Sequence, residues 1–284
     1  MAGTTGADME NLIPSKLLKL DEILSSLDRV AVAFSGGVDS AFLLHCAHKR
    51  LGDRAVAVTV ETPLVPSDEI EAARSFATAE NIEYVIIPVD IFQNSAVISN
   101  PPDRCYHCKL DIFRAILDFA AARGIFHVIE GSNSDDRNDY RPGMRALEEL
   151  GVRSPLMEAG FTKDEIRRAA RDRGLSAWNR PAGPCLATRL PHGTAITREA
   201  LDAIDRAERY LRGLGFSEVR VRHHGDLARI EVPRQERAHL CDRSDEIAAR
   251  LKSHGFRYIT LDIEGYRRGS MNRKPDGEEA DGQG

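Results

Sequence analysis

The sequence predicts an α/β fold: a parallel sheet flanked by helices, with a smaller α+β domain after it. Short apolar runs of strand type alternate with helix-length segments from residue 29 to residue 174. Such alternation means βαβ crossovers, and hence a parallel sheet with helices on both faces. It ends near residue 190, beyond which one helix, two strands, a helical stretch and a final strand follow. A Ser/Gly turn, SGGVDS at 35–40, leads from the first strand straight into a helix.

Each element has its own signal. Residues 15–28 place Leu17, Leu18, Leu20, Ile23, Leu24 and Leu27 on one stripe, the pattern of an amphipathic helix. RVAVAF (29–34), AVAVTV (55–60), YVIIPV (84–89) and FHVIEG (126–131) read as strands. Between them helices are expected over 39–50, over 67–80 with Ser67 as N-cap, and over 109–123, ended by Gly124. A helix over 162–173 opens on a capping box, Thr162 with Glu165, and stops before Gly174. In the C-terminal part 197–213 reads as helix, 217–222 and 227–232 as strands, 235–254 as mainly helical, and 256–263 as a strand. Residues 1–10 and 271–284 are polar and aperiodic and read as disordered tails. The domains expected are therefore 11–190 and 191–270.

Bulk properties narrow the partners. The 284 residues are 42% hydrophobic and 29% charged, ordinary for a chain that buries a core. A net charge of −5 argues against DNA, and against tRNA, as a substrate gripped across a wide face. The N-terminus lacks the basic-then-apolar pattern of a secretory leader, and no apolar run approaches the ~18 residues of a membrane span. A cytoplasmic setting follows as the expectation, and there cysteines serve metals or catalysis more often than structural disulfides.

The chemistry begins at SGGVDS. Gly36 and Gly37 let the backbone approach an anion closely, and Ser35, Ser40 and the N–H groups of the first helical turn can donate to phosphate. Asp39 beside a bound polyphosphate suits a metal ion better than the phosphate itself. No Walker A pattern occurs. Gly-Gly after a strand is also a common plain turn. In its place after the first strand, however, SGGVDS resembles the PP-loop signature of ATP pyrophosphatases (adenine nucleotide α-hydrolase-like enzymes). That resemblance implies that Ser35, Gly36, Gly37, Asp39 and Ser40 cradle the pyrophosphate end of ATP with Mg²⁺ as counter-ion.

Three further stretches, NPPDRCYHCK (100–109), EGSNSDDRNDYRPGMRA (130–146) and WNRPAGPCLATRLPHG (178–193), resemble the LarE family of sulfur transferases. VRVRHHGDLARIEV and YITLDIEGYRRGSMN are similar to that family too, so the likeness runs from about residue 15 to 272. It implies that ATP adenylates a carboxylate of a pyridinium-biscarboxylate mononucleotide and that sulfur displaces AMP. The product is a thiocarboxylate of the kind that later takes nickel in a nickel-pincer nucleotide cofactor. Adenylation gives a poor electrophile a good leaving group, and thiolate is the nucleophile available near neutral pH. In the well-known family type a cysteine of the protein gives up its sulfur and becomes dehydroalanine. The matching residue is Cys185, flanked by Trp178 and by Arg189, which could pair with a phosphate or a carboxylate. The family also suggests a homo-oligomer.

Cys105 and Cys108 exceed what sacrificial donation by Cys185 requires. A C-x-x-C pair plus one distant cysteine is the ligand set of a 4Fe-4S cluster with one iron left open, and an open iron can accept sulfide from a sulfide donor. Cys105, Cys108 and Cys185 are therefore the expected metal ligands. Other readings stay open: a Cys₃ zinc site completed by His107 or another histidine, unligated thiols with Cys185 sacrificial, or a transient Cys105–Cys108 disulfide. Cys46 and Cys241 read as buried small hydrophobes.

Asp135 and Asp136 follow the fourth strand at its carboxyl end, which faces the ligand crevice in a parallel sheet. They either position Mg²⁺ or the nucleotide, or form a solvated acidic loop. Arg141 and Arg145 look like phosphate or substrate contacts by family similarity. Arg220, Arg222, His223 and His224, with Glu208 and Glu231, form either a phosphate cluster or a solvated face. Competing functions are an iron–sulfur tRNA thiolase, an ammonia-using amide synthetase, which leaves the three cysteines unexplained, and a non-enzymatic ATP sensor.

Overall fold

The computed structural model describes residues 6–138, 142–180, 183 and 185–267. The chain divides into two compact units, Met1–Pro184 and Cys185–Gly284. The boundary expected after residue 190 thus falls six residues earlier. The reason is local: Arg189 pairs with Glu208, and the Thr188 carbonyl accepts from Arg222. The segment after Cys185 is bonded into the second unit.

The first unit runs α1 (Gly6–Ser25), β1 (Val30–Ala33), α2 (Val38–Leu51), β2 (Ala55–Glu61), α3 (Ser67–Ala79) and β3 (Tyr84–Pro88). It continues through α4 (Ser95–Ile98), α5 (Arg104–Ala122), β4 (His127–Ile129), α6 (Pro142–Glu149), α7 (Pro155–Ala159) and α8 (Lys163–Asp172). The sheet has the order β3-β2-β1-β4 and all its pairs are parallel. Successive residues of β1 point to opposite faces. Val30 and Val32 enter a cluster with Leu20 and Leu24 of α1, Phe42 and Leu44 of α2, and Ile166 of α8. Ala31 enters the other, with Val56, Val58, Phe113 and Ile116 of α5, and Leu147 of α6. Burial on both faces is why these strands read as unbroken apolar runs. Each such Leu or Phe side chain stabilises the fold by about 1.5–3 kcal/mol, and Leu44→Ala would cost about 2–5 kcal/mol.

Several elements differ from expectation. α1 starts at Gly6, so residues 6–10, expected within a tail, are helical. α5 starts at Arg104 rather than near 109, which brings Cys105 and Cys108 into its first turns. β4 is three residues long and leaves Phe126 88% exposed outside the strand. The expected capping box is present: Glu165 N donates to Thr162 Oγ1 at 3.4 Å, and Thr162 N donates to Glu165 Oε2 at 2.8 Å.

The second unit contains α9 (Arg198–Gly213), β5 (Arg220–His224), β6 (Leu227–Glu231), α10 (Arg237–Asp242), α11 (Ser244–Ser253) and β7 (Tyr258–Leu261). β5 and β6 form an antiparallel hairpin across Gly225–Asp226, and Gly225 takes φ +67° as a two-residue turn demands. β7 lies parallel on the other side of β6. Ala207 and Leu211 of α9 pack with Val221, Ile230, Leu251 and Phe256.

Candidate active site

β1 is flanked by β2 on one side and β4 on the other, so the order in which strands join the sheet reverses between β1 and β4. Open parallel sheets bind ligands outside the carboxyl ends of the strands at such a switch. Here those ends carry residues 35–40 after β1 and residues 130–136 after β4.

The Ser/Gly loop is ordered by its own bonds. Phe34 N donates to Val58 O at 2.9 Å, which holds the strand end. Ser35 N donates to Ser40 Oγ at 3.3 Å, the Ser35 and Ser40 hydroxyls lie 3.1 Å apart, and Ser40 Oγ donates to Gly37 O at 3.0 Å. Gly36 has φ +78°, a conformation glycine adopts without strain. A Cβ on Gly131, at the end of β4, would stand 2.8 Å from Ser40 N and 3.1 Å from Asp39 C. Only glycine lets the end of β4 approach the first turn of α2 this closely. The amino end of α2, with Gly37 as N-cap, carries no side-chain cap. A helix amino end of this kind can receive an anion.

Asp39 occupies the first turn of α2, and its side chain is 19% exposed. One oxygen, Oδ2, accepts from Lys163 Nζ and, at 3.5 Å, from Asn133 Nδ2. The other, Oδ1, is buried with no hydrogen-bond partner among the described residues. Burial pushes the carboxyl above its usual range and Asp136 adds to the rise, while Lys163 and Arg167 pull it down. A buried carboxylate with an orphaned oxygen fits Mg²⁺, a hard cation that takes one or two carboxylates plus substrate phosphates. Lys163 was invisible in the sequence: the capping box placed it at a helix start, but nothing linked it to a loop 124 residues away.

Both carboxylates of the acidic loop accept from backbone N–H groups. Asp135 Oδ2 accepts from Lys163 N at 2.9 Å, and Asp136 Oδ2 accepts from Asn133 N at 3.0 Å. Both carboxylates hold local backbone. Glu130 accepts from Ser132 N at 3.0 Å and also from Ser154 Oγ, fixing the end of β4. Arg145, expected at a phosphate or substrate, lies over the Tyr106 ring at 3.8 Å and within 3.4 Å of Glu149. It ties α6 to the first turns of α5. Arg141 lies outside the described residues.

No described cysteine is in a disulfide. Cys105 is exposed and Cys108 half-buried, three residues apart on α5, a spacing that puts side chains on one helix face. Thiols are the right donors for an iron–sulfur cluster. Among the described residues, however, no group of three or more His, Cys, Asp or Glu side chains is placed to hold a metal ion. His107 pairs instead with Asp103 at 3.4 Å. Cys241 is exposed, not a buried hydrophobe. Cys46 does behave as a core thiol, with burial pushing it up to about 12.

In the second unit Cys185 precedes a single 3₁₀ turn, Leu186–Arg189. Its carbonyl accepts from Thr188 N at 3.0 Å, Thr188 Oγ1 at 2.8 Å and Arg189 Nη1 at 3.3 Å. Arg189 meets a carboxylate, but one of its own chain: Nε and Nη2 donate to the two oxygens of Glu208, each at 2.8 Å. Arg222 pairs in the same side-on way with Glu231. Arg220 donates to Val219 O at 2.8 Å and stacks on Tyr266. The expected choice between phosphate cluster and solvated face is thus replaced by a third arrangement: Arg189, Glu208, Arg220, Arg222 and Glu231 are all under 9% exposed. Buried charges need partners, and Arg189 and Arg222 have theirs side-on in Glu208 and Glu231.

A first-strand Ser/Gly loop, an uncapped helix end and a buried acid beside it, at a switch point of a parallel sheet, fit an ATP-using enzyme of the PP-loop class. No protein-family model matches the chain. It is 39% identical to pyridinium-3,5-bisthiocarboxylic acid mononucleotide synthase of Lactiplantibacillus plantarum, over 92% of this chain and 95% of the relative. It is 41% identical to an uncharacterized protein of Synechocystis, over 92% of this chain and 98% of that one. One subunit of the glutamine-hydrolyzing GMP synthase of Methanoculleus marisnigri is 29% identical over 61% of this chain and 62% of its own length, in keeping with the PP-loop class. The chain belongs to the family of the mononucleotide synthase, the LarE family, and is an ATP-dependent sulfurtransferase. Among the described residues no helix is long and apolar enough to cross a membrane.

Proposed function

We propose that the protein converts the carboxylates of a pyridinium-3,5-biscarboxylate mononucleotide to thiocarboxylates, at the expense of ATP, on the way to a nickel-pincer nucleotide cofactor. The observation that carries this reading is the 39% identity, across 92% of the chain, to a synthase named for the bisthiocarboxylic product.

The chain's own residues fit the steps. The amino end of α2 and the Ser35 and Ser40 hydroxyls would receive the pyrophosphate end of ATP, and Asp39, with its unpartnered Oδ1, would hold the Mg²⁺ that neutralises it. A substrate carboxylate oxygen attacks the α-phosphorus, pyrophosphate leaves onto the loop, and an acyl adenylate forms. A sulfur nucleophile then attacks the acyl carbon and AMP departs.

For the sulfur, Cys105, Cys108 and Cys185 would together hold a 4Fe-4S cluster. When bound, such a cluster supplies an exchangeable sulfide at the iron without a protein ligand. A second reading needs Cys185 alone, whose carbonyl is held by Thr188 and Arg189. In it the Cys185 thiolate itself attacks, giving a thioester. Loss of the Cys185 α-proton with cleavage of its Cβ–S bond then releases the thiocarboxylate and leaves dehydroalanine. The clamped carbonyl of Cys185 suits either role, since both need the thiol held at a fixed point.

The test is anaerobic purification followed by incubation with ATP, Mg²⁺, the biscarboxylate mononucleotide and sulfide. AMP, pyrophosphate, the product mass, iron and acid-labile sulfide per chain, and the polypeptide mass are measured. Adenylation without any thiocarboxylate would sink the proposed function. About four irons and an unchanged polypeptide identify the cluster route. No iron, and a chain lighter by one H₂S at Cys185, identifies the sacrificial one.

A further inference from the structure

We infer that Lys163 answers the arrival of MgATP: without nucleotide its ammonium neutralises Asp39 through Oδ2, and with nucleotide it turns to the phosphates at the amino end of α2. This deepens the ATP-using reading of the loop and rests on it.

The backbone of Lys163 is fixed while its side chain can pivot. Lys163 N donates to Asp135 Oδ2 at 2.9 Å. The residue lies between the two members of the Thr162–Glu165 capping box, and Glu165 is tied in turn to Lys16 Nζ at 2.7 Å. Beyond the Cα, a four-carbon stem carries a compact charge that is 35% exposed, so the head can move with water beside it. Its partner Asp39 lies in the first turn of the helix whose N–H groups seat the phosphate. The two positions of the ammonium are therefore neighbours, and no backbone need shift between them.

Charge decides which position is filled. Asp39 has a single negative charge, and a divalent ion together with Lys163 would overload it. A divalent ion at the unpartnered Oδ1 would repel the ammonium at Oδ2 across one carboxylate, and the triphosphate supplies the anion that receives it. Arg167, one turn further along α8, is less free to follow, because its guanidinium donates to Trp178 O at 3.3 Å.

The experiment uses the full chain with Lys163→Met and Lys163→Arg. Mn²⁺ binding to nucleotide-free protein is titrated by electron paramagnetic resonance, and MgATP binding by calorimetry, with circular dichroism to confirm folding. Removing the competing cation and the phosphate donor moves the two affinities in opposite directions. Lys163→Met should bind Mn²⁺ about tenfold more tightly and MgATP about tenfold more weakly than the unaltered protein. Lys163→Arg, which keeps the charge, should restore the weak Mn²⁺ affinity. An unchanged Mn²⁺ affinity in Lys163→Met overturns the neutralising role, and an unchanged MgATP affinity overturns the phosphate role. Either result defeats the inference while the unaltered protein still binds ATP. An unaltered protein that binds no ATP defeats the ATP-using reading as well.

Discussion

Arg189 lies side-on to Glu208, with Nε–Oε1 and Nη2–Oε2 both 2.8 Å and neither side chain more than 1% exposed. Glu208 also accepts from Val221 N at 3.0 Å, so one carboxylate binds α9, β5 and the turn after Cys185 together. Removing it would strand a buried guanidinium. Glu208→Ala should destabilise the protein by about 3–5 kcal/mol, read by denaturant unfolding. Loss of under 1 kcal/mol would mean the brace is dispensable.

The same pair sets a pH dependence. Burial by itself raises the Glu208 carboxyl, but Arg189 and the Val221 N–H outweigh it, and the folded value lies below the ordinary 4.5. Its contribution is present in full above the unfolded value and is lost as pH falls through the lower folded one. The pair's contribution should therefore be flat from neutrality to about pH 5, and below 4.5 stability should fall more steeply than in Glu208→Gln. Parallel melting-temperature profiles of the two proteins would contradict this.

Gly131→Ala should disable the phosphate loop. The added Cβ meets backbone atoms of Asp39 and Ser40 at 2.8–3.1 Å, and backbone cannot swing aside. A strain of about 1–3 kcal/mol is expected, with MgATP affinity reduced at least tenfold. Unimpaired ATP binding with unchanged stability would show that the end of β4 and the first turn of α2 can part freely.

Asp39→Asn should separate function from stability. The amide removes the burial penalty on a charged carboxyl, and the half-exposed Lys163 can turn to water, so the melting temperature should hold or rise. Pyrophosphate release should drop by two orders of magnitude or more, as about 2.7 kcal/mol or more of metal-mediated stabilisation is lost. A variant that releases pyrophosphate at the normal rate would remove Asp39 from the metal site.

Thiol reactivity should follow burial. Iodoacetamide near pH 7.5, followed by peptide mass spectrometry, should modify Cys105 and Cys241 first, then Cys108 and Cys185. Cys46, pushed up to about 12, should stay unmodified until the chain unfolds. Early labelling of Cys46 would mean that α2 opens in the native state.

What the sequence disclosed was local. The phosphate loop announced itself because strand, turn and helix start lie within a dozen residues, and the Thr162 capping box because its partners are three apart. What it hid was distant or depended on burial. Asp39 finds Asn133 and Lys163 only in three dimensions. Arg189, Glu208, Arg222 and Glu231 read as solvent or ligand contacts because a charged letter carries no sign of its neighbours. α6 and α7 are too short to show a periodic stripe, and α5 reads as starting too late because Pro101, Pro102 and Asp103 resemble a loop that continues into the cysteines.

Asp39 also has a kinetic meaning. Its two partners are 94 and 124 residues away along the chain, so β1 and its loop emerge from synthesis long before Asn133 and Lys163 exist to meet them. Contacts of such separation form late, after the local helices and the β1–β2 crossover. In refolding, MgATP binding should therefore return after the helical signal. A nascent chain halted before α8 would carry the whole loop motif yet lack the lysine that completes it.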